Sequence, residues 1–103
     1  MIRASYSSSA TGDLVRHPQH REEAVRKSCA ALGGKLHAFF FSFGEYDTVV
    51  LVELPDNAAA AALSLSAEAS GAFRNIATTV LLTVDEAIEA MTKAQTDRYV
   101  PPK

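Results

Sequence analysis

The stretch that decides the fold is residues 35–54, which read KLHAFFFSFGEYDTVVLVEL. Two runs of aromatic, aliphatic and β-branched residues flank Gly44 and Glu45, a pattern that predicts a β-hairpin. A type II′ turn takes glycine at its first central position, so we predict a two-residue turn closed by Phe43 and Tyr46. We place this hairpin at the centre of a small α+β domain.

Counting outward from the turn gives the cross-strand pairs of one hairpin face: Phe41 with Thr48, Phe39 with Val50, and His37 with Val52. Successive side chains of a strand point to opposite faces, so the other face carries the alternate residues, which are also apolar in the middle. An antiparallel sheet with one face in water should alternate apolar and polar residues along each strand. This hairpin does not, so we expect both of its faces to be covered.

The composition indicates one globular domain. A chain of 103 residues with 48% hydrophobic and 21% charged residues is ordinary for such a domain. The net charge of -2 argues against a nucleic-acid partner, because nucleic-acid binding needs a basic surface. One cysteine excludes an internal disulfide, and no apolar stretch predicts a signal peptide or a membrane span. We therefore expect a cytoplasmic protein with no nucleic-acid or membrane partner, its domain covering residues 1–96 and a tail covering residues 97–103.

The N-terminal half predicts one strand and one helix. Residues 2–9 alternate weakly between apolar and polar side chains, which indicates a first strand. Turn formers predict an irregular connection over residues 11–17. Residues 19–32 carry an apolar stripe at helical spacing, and Pro18 before them suits the first turn of a helix.

The C-terminal half predicts a helix, a strand and a final helix. Residues 58–70 are rich in alanine and follow Asp56 and Asn57, either of which can cap a helix. Residues 73–83 have the β-branched content of a strand. Residues 83–86 form a capping box, which predicts a last helix with one apolar side.

Taken in order, the predicted elements are strand, helix, strand, strand, helix, strand and a terminal helix. This is the β-α-β-β-α-β order of a ferredoxin-like antiparallel sheet with an added C-terminal helix. Such a sheet packs two helices on one face and leaves the other bare, and a bare apolar face needs a cover. We expect a homodimer whose two sheets face each other, since closed two-fold dimers are the commonest oligomers. The alternative cover is the terminal helix folded across its own sheet.

The residues that carry a family resemblance are 33–56, GGKLHAFFFSFGEYDTVVLVELPD, with Gly44-Glu45-Tyr46-Asp47 at their centre. This stretch resembles the GYD-domain family, and the similarity extends upstream to residue 21 and downstream to residue 92. The resemblance implies a dimeric α/β-barrel of ferredoxin-like subunits with no established biochemical activity. It also implies relatives in fold among cofactor-independent monooxygenases and stress-responsive barrel proteins. The serine-rich first strand departs from the family pattern, which is hydrophobic there.

Tyr46 and Asp47 are the first candidate site residues, because the turn fixes their positions and directs them to opposite faces. In a functional interpretation one of them lies at the mouth of a ligand pocket, with Asp47 orienting a ligand or accepting a proton. In a structural interpretation Asp47 accepts backbone hydrogen bonds near the turn while Tyr46 packs beside Phe43. We favour the structural interpretation, since buried polar groups usually have hydrogen-bond partners.

His37 is the candidate catalytic residue. Histidine exchanges protons near neutral pH, and a pocket behind Phe39 and Phe41 would let His37 act as a general base. Tyr6 and Arg74 are further candidates for lining the same ligand pocket. In the structural alternative His37 ends a strand with its ring in water or bonded to the backbone.

Other polar residues predict no chemistry. His17 and His20 have the spacing H-x-x-H, but the pattern lacks the further ligands that a zinc site needs, so we predict no metal. Cys29 falls on the apolar stripe of its helix and is interpreted as a packed side chain rather than a nucleophile. The sequence holds no phosphate-binding loop, no hydrolase serine motif and no paired catalytic carboxylates, and we expect no cofactor.

The leading hypothesis is a small homodimer that binds a small, largely apolar ligand between the sheet and the helices. Space for this ligand is expected where the small side chains of the alanine-rich helix face the phenylalanines. One alternative is a cofactor-independent monooxygenase or isomerase that uses His37 as its base. Another is a module that only assembles and has no catalytic role. The sequence leaves all three open.

Overall fold

The chain has an α+β fold, and the computed structural model describes all of residues 1–103. In chain order the elements are β1 (Ile2–Tyr6), α1 (Ser8–Arg16), α2 (Glu22–Ala31), β2 (Lys35–Phe41), β3 (Thr48–Glu53), α3 (Asn57–Ala69), β4 (Phe73–Thr78) and α4 (Val84–Ala94). The four strands make one antiparallel sheet in the order β2-β3-β1-β4. None of the helices combines the length and the apolar character that crossing a membrane requires.

The hairpin of β2 and β3 has the predicted partners near its turn: Phe41 lies opposite Thr48, and Phe39 lies opposite Val50. The predicted two-residue turn, however, is wrong. Residues 42–47 form a longer loop, and Gly44 lacks the positive φ that a type II′ turn requires. The loop is longer because hydrogen bonds between Asp47 and β1, to Ala4 and from Tyr6, hold its end against that strand.

A β-bulge at His37 shifts the register of the hairpin. Leu36 pairs with Val52 and Ala38 pairs with Leu51, so the predicted pairing of His37 with Val52 is wrong. A bulge inserts one unpaired residue into a strand and resets which side chains face the core. Here the bulge keeps Leu36 buried and leaves His37 exposed.

The core lies between one face of the sheet and the helices α2 and α3, which pack against β2 and β4 respectively. Its buried apolar side chains form one cluster: Cys29, Leu36, Val50 and Leu63. Cys29 is fully buried, as its place on the apolar stripe of α2 predicted. The cluster joins both helices to the hairpin and fixes them on the same face of the sheet.

The link between α2 and β2 depends on two glycines. Gly33 has a φ of +80°, the left-handed conformation in which helices commonly end. Gly34 approaches the neighbouring strand so closely that a Cβ atom there would lie 2.1 Å from the carbonyl oxygen of Glu53. The two glycines therefore let β2 start directly beside the end of β3.

The helix α1 was not predicted. The first strand was expected to run to residue 9 but ends at Tyr6, and the irregular connection expected over residues 11–17 is helical as far as Arg16. The Ser7 hydroxyl accepts a hydrogen bond from the Ala10 N–H at 3.2 Å and provides the N-cap of α1. Serine, threonine and glycine favour caps and turns over helix interiors, so their run in this segment hides the helix. The next helix, α2, begins at Glu22 rather than at residue 19.

The C-terminal predictions are confirmed in element type and in their caps. The Asp56 carboxylate accepts a hydrogen bond from the Ala59 N–H at 2.8 Å and caps α3. The predicted capping box opens α4, with Thr83 and Glu86 side chains each accepting from the other's backbone N–H. The strand β4 is shorter than predicted and ends at Thr78.

The second face of the sheet carries the alternate residues of the hairpin, and we call it the open sheet face: Ala38, Phe40, Val49 and Leu51. None of these residues belongs to the core cluster, and Phe40 is 58% exposed. The helices α2 and α3 lie on the opposite side. The open sheet face is thus apolar, and neither α2 nor α3 covers it in the single chain.

Residues 79–103 form a C-terminal arm, which leaves the sheet after β4 and contains α4. Every residue of the arm except Ala87 is exposed, and no other element packs extensively against α4. The radius of gyration is 17.1 Å, against about 13 Å for a compact chain of this length. The terminal helix therefore does not fold across its own sheet.

Candidate functional site

A cavity of about 220 Å³, the helix-side cavity, lies between the core face of the sheet and the helices α2 and α3. Its apolar wall comes mainly from the strands: Ile2, Tyr6, Phe39, Val50, Phe73 and Ile76. Its polar lining consists of hydroxyl groups and one guanidinium: Arg21, Ser28, Thr48, Ser64, Ser66 and Ser70. The cavity is therefore largely apolar, with a single charge at its surface.

Tyr6 forms part of the cavity wall at the end of β1. It pairs with Phe73 of β4, and the two rings stack with their centroids 4.9 Å apart. Burial raises the pKa of Tyr6, while neighbouring Arg21 acts in the opposite direction and Asp47 adds to the rise. The ordinary value of 10.0 already lies well above neutral pH, so with an upward shift the phenol keeps its proton there and presents an O–H donor.

Asp47 holds the hairpin loop to β1. Its Oδ2 atom accepts a hydrogen bond from the Tyr6 N–H at 3.0 Å. Its own N–H donates to the Ala4 carbonyl at 2.9 Å, and its carbonyl accepts from the Ser42 N–H at 2.8 Å. The Tyr6 N–H is free for this bond because the ladder to β4 is irregular between Ser5 and Tyr6. Asp47 thus positions Tyr6 and does not itself line the cavity.

Tyr46 and Phe41 lie outside the cavity. The Arg3 guanidinium lies 4.6 Å from the centre of the Tyr46 ring, a cation–π contact on the open side of the sheet. Tyr46 does not close the hairpin with Phe43, which is fully exposed. Phe41 meets the Phe39 ring edge-on, with the centroids 5.2 Å apart, and borders a shallow depression beside the start of α2.

His37 and Arg74 are exposed, and neither lines the cavity. The His37 Nε2 atom lies 3.7 Å from a carboxylate oxygen of Glu53, and the same oxygen lies 3.5 Å from the Lys35 ammonium. Both contacts are exposed to water, where an ion pair contributes little to the stability of the fold. His37 as a catalytic base stays a prediction that the position of its ring does not support.

Two of the predicted pocket residues, Tyr6 and Phe39, line the cavity. Asp47 lies outside the cavity and accepts a hydrogen bond from the Tyr6 N–H. The remaining three lie elsewhere: Phe41, Tyr46 and Arg74. Nowhere in the chain do three His, Cys, Asp or Glu side chains lie close enough together to hold a metal ion. The side chains that could contact a bound molecule are therefore aromatic rings, hydroxyls and one arginine.

Comparison with protein families gives a clear match. The family model described as the GYD domain matches residues 1–91 of this chain of 103 residues. The chain belongs to the GYD-domain family. The match confirms the resemblance carried by residues 33–56, and it spans the whole sheet and most of α4. No curated protein and no solved structure matches this GYD-domain protein.

Arg21 is a candidate site residue that the sequence of this GYD-domain protein did not reveal. It precedes Glu22 and Glu23, a context typical of a solvated helix start. Its side chain instead reaches the cavity, and its Nη1 atom donates to the Gln19 Oε1 atom at 3.1 Å. One signal was present in the sequence: the residue four positions along is Val25, so the helix offers Arg21 no carboxylate partner.

Proposed function

We propose that this GYD-domain protein is a homodimeric α/β-barrel of ferredoxin-like subunits that binds a small, largely apolar molecule in the helix-side cavity. The observation that carries the proposal is the cavity itself, a space of about 220 Å³ with mostly apolar walls. Known ligand pockets span roughly 300–1,000 Å³, so a cavity of this size suits a compound of about one ring.

The strand order supports the ferredoxin-like part of the proposal. β1 lies between β3 and β4, and all neighbouring strands are antiparallel. The helices α2 and α3 pack on the same face, through one shared core cluster. This arrangement agrees with the split β-α-β pattern, in which α1 is an insertion between the first strand and the first sheet-packing helix.

The exposed surface supports the dimer. The chain has 7654 Å² of accessible surface, whereas a compact monomer of this mass has about 5,600 Å². An excess of roughly 2,000 Å² per subunit is comparable to what obligate dimers bury. Only eight of the 103 residues are buried, while the open sheet face and the C-terminal arm expose large apolar side chains. A second copy would cover these surfaces.

The two alternative functions fit the geometry less well. A monooxygenase or isomerase that uses His37 as its base needs that ring beside the bound molecule, and His37 is exposed outside the cavity. A pure assembly module gives no role to an apolar space of this volume between the sheet and the helices. Ligand binding accounts for the cavity without needing a catalytic group.

The ligand site can be tested with a larger side chain on α3 that fills the cavity. Ala67 lines the cavity, whereas Ala69 on the same helix is exposed and does not. We expect toluene, a neutral one-ring probe, to shift the NMR signals of cavity residues in the wild type and in Ala69→Leu. Ala67→Leu should abolish those shifts because its larger side chain occupies the space. Equal shifts in the two variants would contradict a site in this cavity.

The test for the dimer places one charge on the open sheet face. Phe40 lies on that face, whereas Phe43 is a fully exposed loop residue. Phe40→Glu should sediment as a monomer at micromolar concentration, because the dimer would bury an unpaired charge. Phe43→Glu makes the same chemical change and should remain dimeric. A wild-type protein that sediments as a monomer would refute the dimer.

A further inference from the structure

The helix-side cavity holds one charged group. Of all the residues that line it, only Arg21 is charged, and the other polar groups are serine and threonine hydroxyls. A charge beside buried apolar surface is normally paired, because an unpaired charge there is costly. Whether a protein carboxylate pairs with Arg21 therefore bears on the charge of the molecule that the cavity binds.

Arg21 has no carboxylate partner within the protein. The ion pairs of the chain join other residues, such as Arg26 with Glu22 at 3.2 Å on the same helix. Arg21 donates instead to the neutral Gln19 side chain at 3.1 Å. A guanidinium has five N–H donors, so most of its donor capacity is left for a bound molecule. Its attraction for an anion is stronger in this partly buried position than in open water.

The Tyr6 hydroxyl lies beside Arg21 and supplies a second donor. A tyrosine hydroxyl is protonated at neutral pH, and burial shifts the pKa of Tyr6 further in that direction. The Asp47 carboxylate also acts on Tyr6, but its Oδ2 atom is already bonded to the Tyr6 N–H at 3.0 Å, outside the cavity lining. Phe39 and Phe73 provide apolar surface in the same wall.

From this arrangement we propose that the bound molecule is a small monocarboxylate, with its carboxylate on Arg21 and Tyr6 and its ring or short alkyl chain against Phe39 and Phe73. A carboxylate can accept two parallel hydrogen bonds from a guanidinium, which gives both affinity and a fixed orientation. The inference rests on the proposed ligand site and adds the chemical class of the ligand.

Benzoate and benzamide test this class, because they share a shape and differ in charge. We expect the wild type to bind benzoate at least about tenfold more tightly than benzamide in NMR titrations at neutral pH, since charge-assisted bonds are the stronger ones. Arg21→Gln should lose the preference and still bind benzamide. Arg26→Gln removes an exposed charge from the same helix and should keep the preference.

Arg21→Lys separates specific recognition from general attraction. It keeps the charge and loses the paired donors, so its preference for benzoate should be intermediate. Thermal melts followed by circular dichroism check that each variant is folded. Equal binding of benzoate and benzamide by the wild type would overturn the monocarboxylate inference and leave the toluene site in place. Failure of benzoate, benzamide and toluene alike would overturn both.

A different observation, the exposed C-terminal arm, carries a second inference. Val84, Ile88 and Met91 follow the i, i+4, i+7 spacing on one side of α4, and each is more than half exposed. Leu81 and Leu82 before the helix are each 57% exposed. An apolar stripe of this kind normally faces a packed partner, and the arm finds none within its own subunit.

The base of the arm is fixed to the sheet. The Met1 amino group donates to the Thr79 carbonyl at 2.8 Å, and the Thr79 N–H donates to the Met1 carbonyl at 2.7 Å. The arm therefore leaves each subunit at a set position. The polar side of α4 carries Glu86 and Glu89 against Lys93, an acidic balance unlike the basic face of helices that bind membrane surfaces. This charge pattern favours a protein partner.

We infer that the arm of each subunit packs its apolar side against the second copy of the chain, so that the proposed dimer exchanges two arms. A standard interface uses about 20–30 residues from each side, and residues 79–103 supply a number in this range. Two-fold symmetry lets each subunit give one arm and receive the other. The inference rests on the proposed dimer and names the segment that holds it together.

Two substitutions on α4 test the arm. Ile88→Glu and Lys93→Gln each make the net charge more negative by one, the first on the apolar side and the second on the polar side. Ile88→Glu should raise the dimer dissociation constant at least about tenfold in sedimentation equilibrium, since it would bury a charge. Lys93→Gln should leave that constant unchanged, because its pair with Glu89 is exposed.

The possible outcomes distinguish the arm exchange from the facing-sheet dimer. An unchanged dissociation constant in Ile88→Glu, together with dissociation of Phe40→Glu, would overturn the arm exchange and leave the facing sheets. A monomeric wild type would overturn both. Circular dichroism of Ile88→Glu should show unchanged helix content, because the substituted side chain is exposed in the free subunit.

Discussion

The carboxylate of Asp47 joins the hairpin loop to β1 through the Tyr6 N–H, at 3.0 Å. Asp47→Ala should lower the free energy of unfolding by about 1–3 kcal/mol, because the N–H of a buried residue loses its partner. Asp47→Asn keeps one carbonyl acceptor and should be less destabilising. Urea denaturation measures both, with Asp97→Ala, an exposed carboxylate near the C-terminus, as the control. An effect no larger than that of the control would mean that this bond does not stabilise the fold.

Cys29 reports on the core beneath α2. It is fully buried, and burial raises the pKa of its thiol while Arg26 acts in the opposite direction. A raised folded pKa favours folding below the ordinary value of 9.0, and this contribution is lost as the pH rises above it. We expect a thiol reagent at about pH 8 to label Cys29 only as fast as the protein opens, because buried thiols are inert. Immediate labelling of the folded protein would contradict a sealed core.

Strand alternation predicts which side chains of a strand share a face, but not which face the helices cover. Tyr6 and Phe39 both line the helix-side cavity, and only the packing of α2 and α3 shows that theirs is the covered face. His37 was misplaced because a bulge leaves no mark in a run that is apolar on both sides. Arg21 was missed because its inward position depends on a cavity that only tertiary packing creates.

Among the elements, the close approach of β2 to β3 requires glycine at position 34 but not at position 44. A Cβ atom on Gly34 would lie 2.1 Å from the Glu53 carbonyl oxygen, whereas nothing lies within 4 Å of a Cβ atom on Gly44. Gly34→Ala should lower the free energy of unfolding by at least about 2 kcal/mol, because the strands must move apart. Gly44→Ala should change it by no more than about 0.5 kcal/mol. Urea unfolding compares the two, and the reverse order would refute the close approach at Gly34.

The elements that the sequence predicted well carry their own local signals. The alanine content and Asp56 cap of α3, and the capping box of α4, act within a few residues of the chain. The loop over residues 42–47 and the helix α1 were predicted wrongly. The loop is shaped by hydrogen bonds to β1, a distant part of the chain, and weak helix formers fill α1. Local patterns therefore predict the strands and the helices α2, α3 and α4, whereas α1 lacks a strong local signal and the loop depends on tertiary contacts.

At the scale of the whole molecule, the single chain has a small core, since only eight of its 103 residues are buried. The melting temperature should therefore rise with protein concentration across about a hundredfold range, because association stabilises the folded state by mass action. The monomeric Phe40→Glu variant should have the same melting temperature at every protein concentration in this range. Differential scanning calorimetry at matched concentrations makes the comparison. A wild-type melting temperature that is independent of concentration would contradict a stabilising dimer.

The bare sheet face was predictable because both hairpin faces are apolar, but the extent of the arm was not. The same apolar stripe on α4 fits a helix folded across its own sheet and a helix that reaches a neighbour. Only the spatial course of residues 79–103 separates these two arrangements. A sequence pattern shows that a surface needs a cover and does not identify which molecule provides it.

The capping box of α4 has a consequence for how fast subunits can meet. The helix has 11 residues, and helices shorter than about 12–15 residues are marginal in water without further support. In the proposed dimer, the box would let the arm be helical before the subunits meet, so that less conformational entropy would be lost on association. Hydrogen bonding to Thr83 lowers the pKa of Glu86, and this support is present above the ordinary value of 4.5 and lost as the pH falls below it. Acidification would then slow association of the proposed dimer by loosening a preorganised helix.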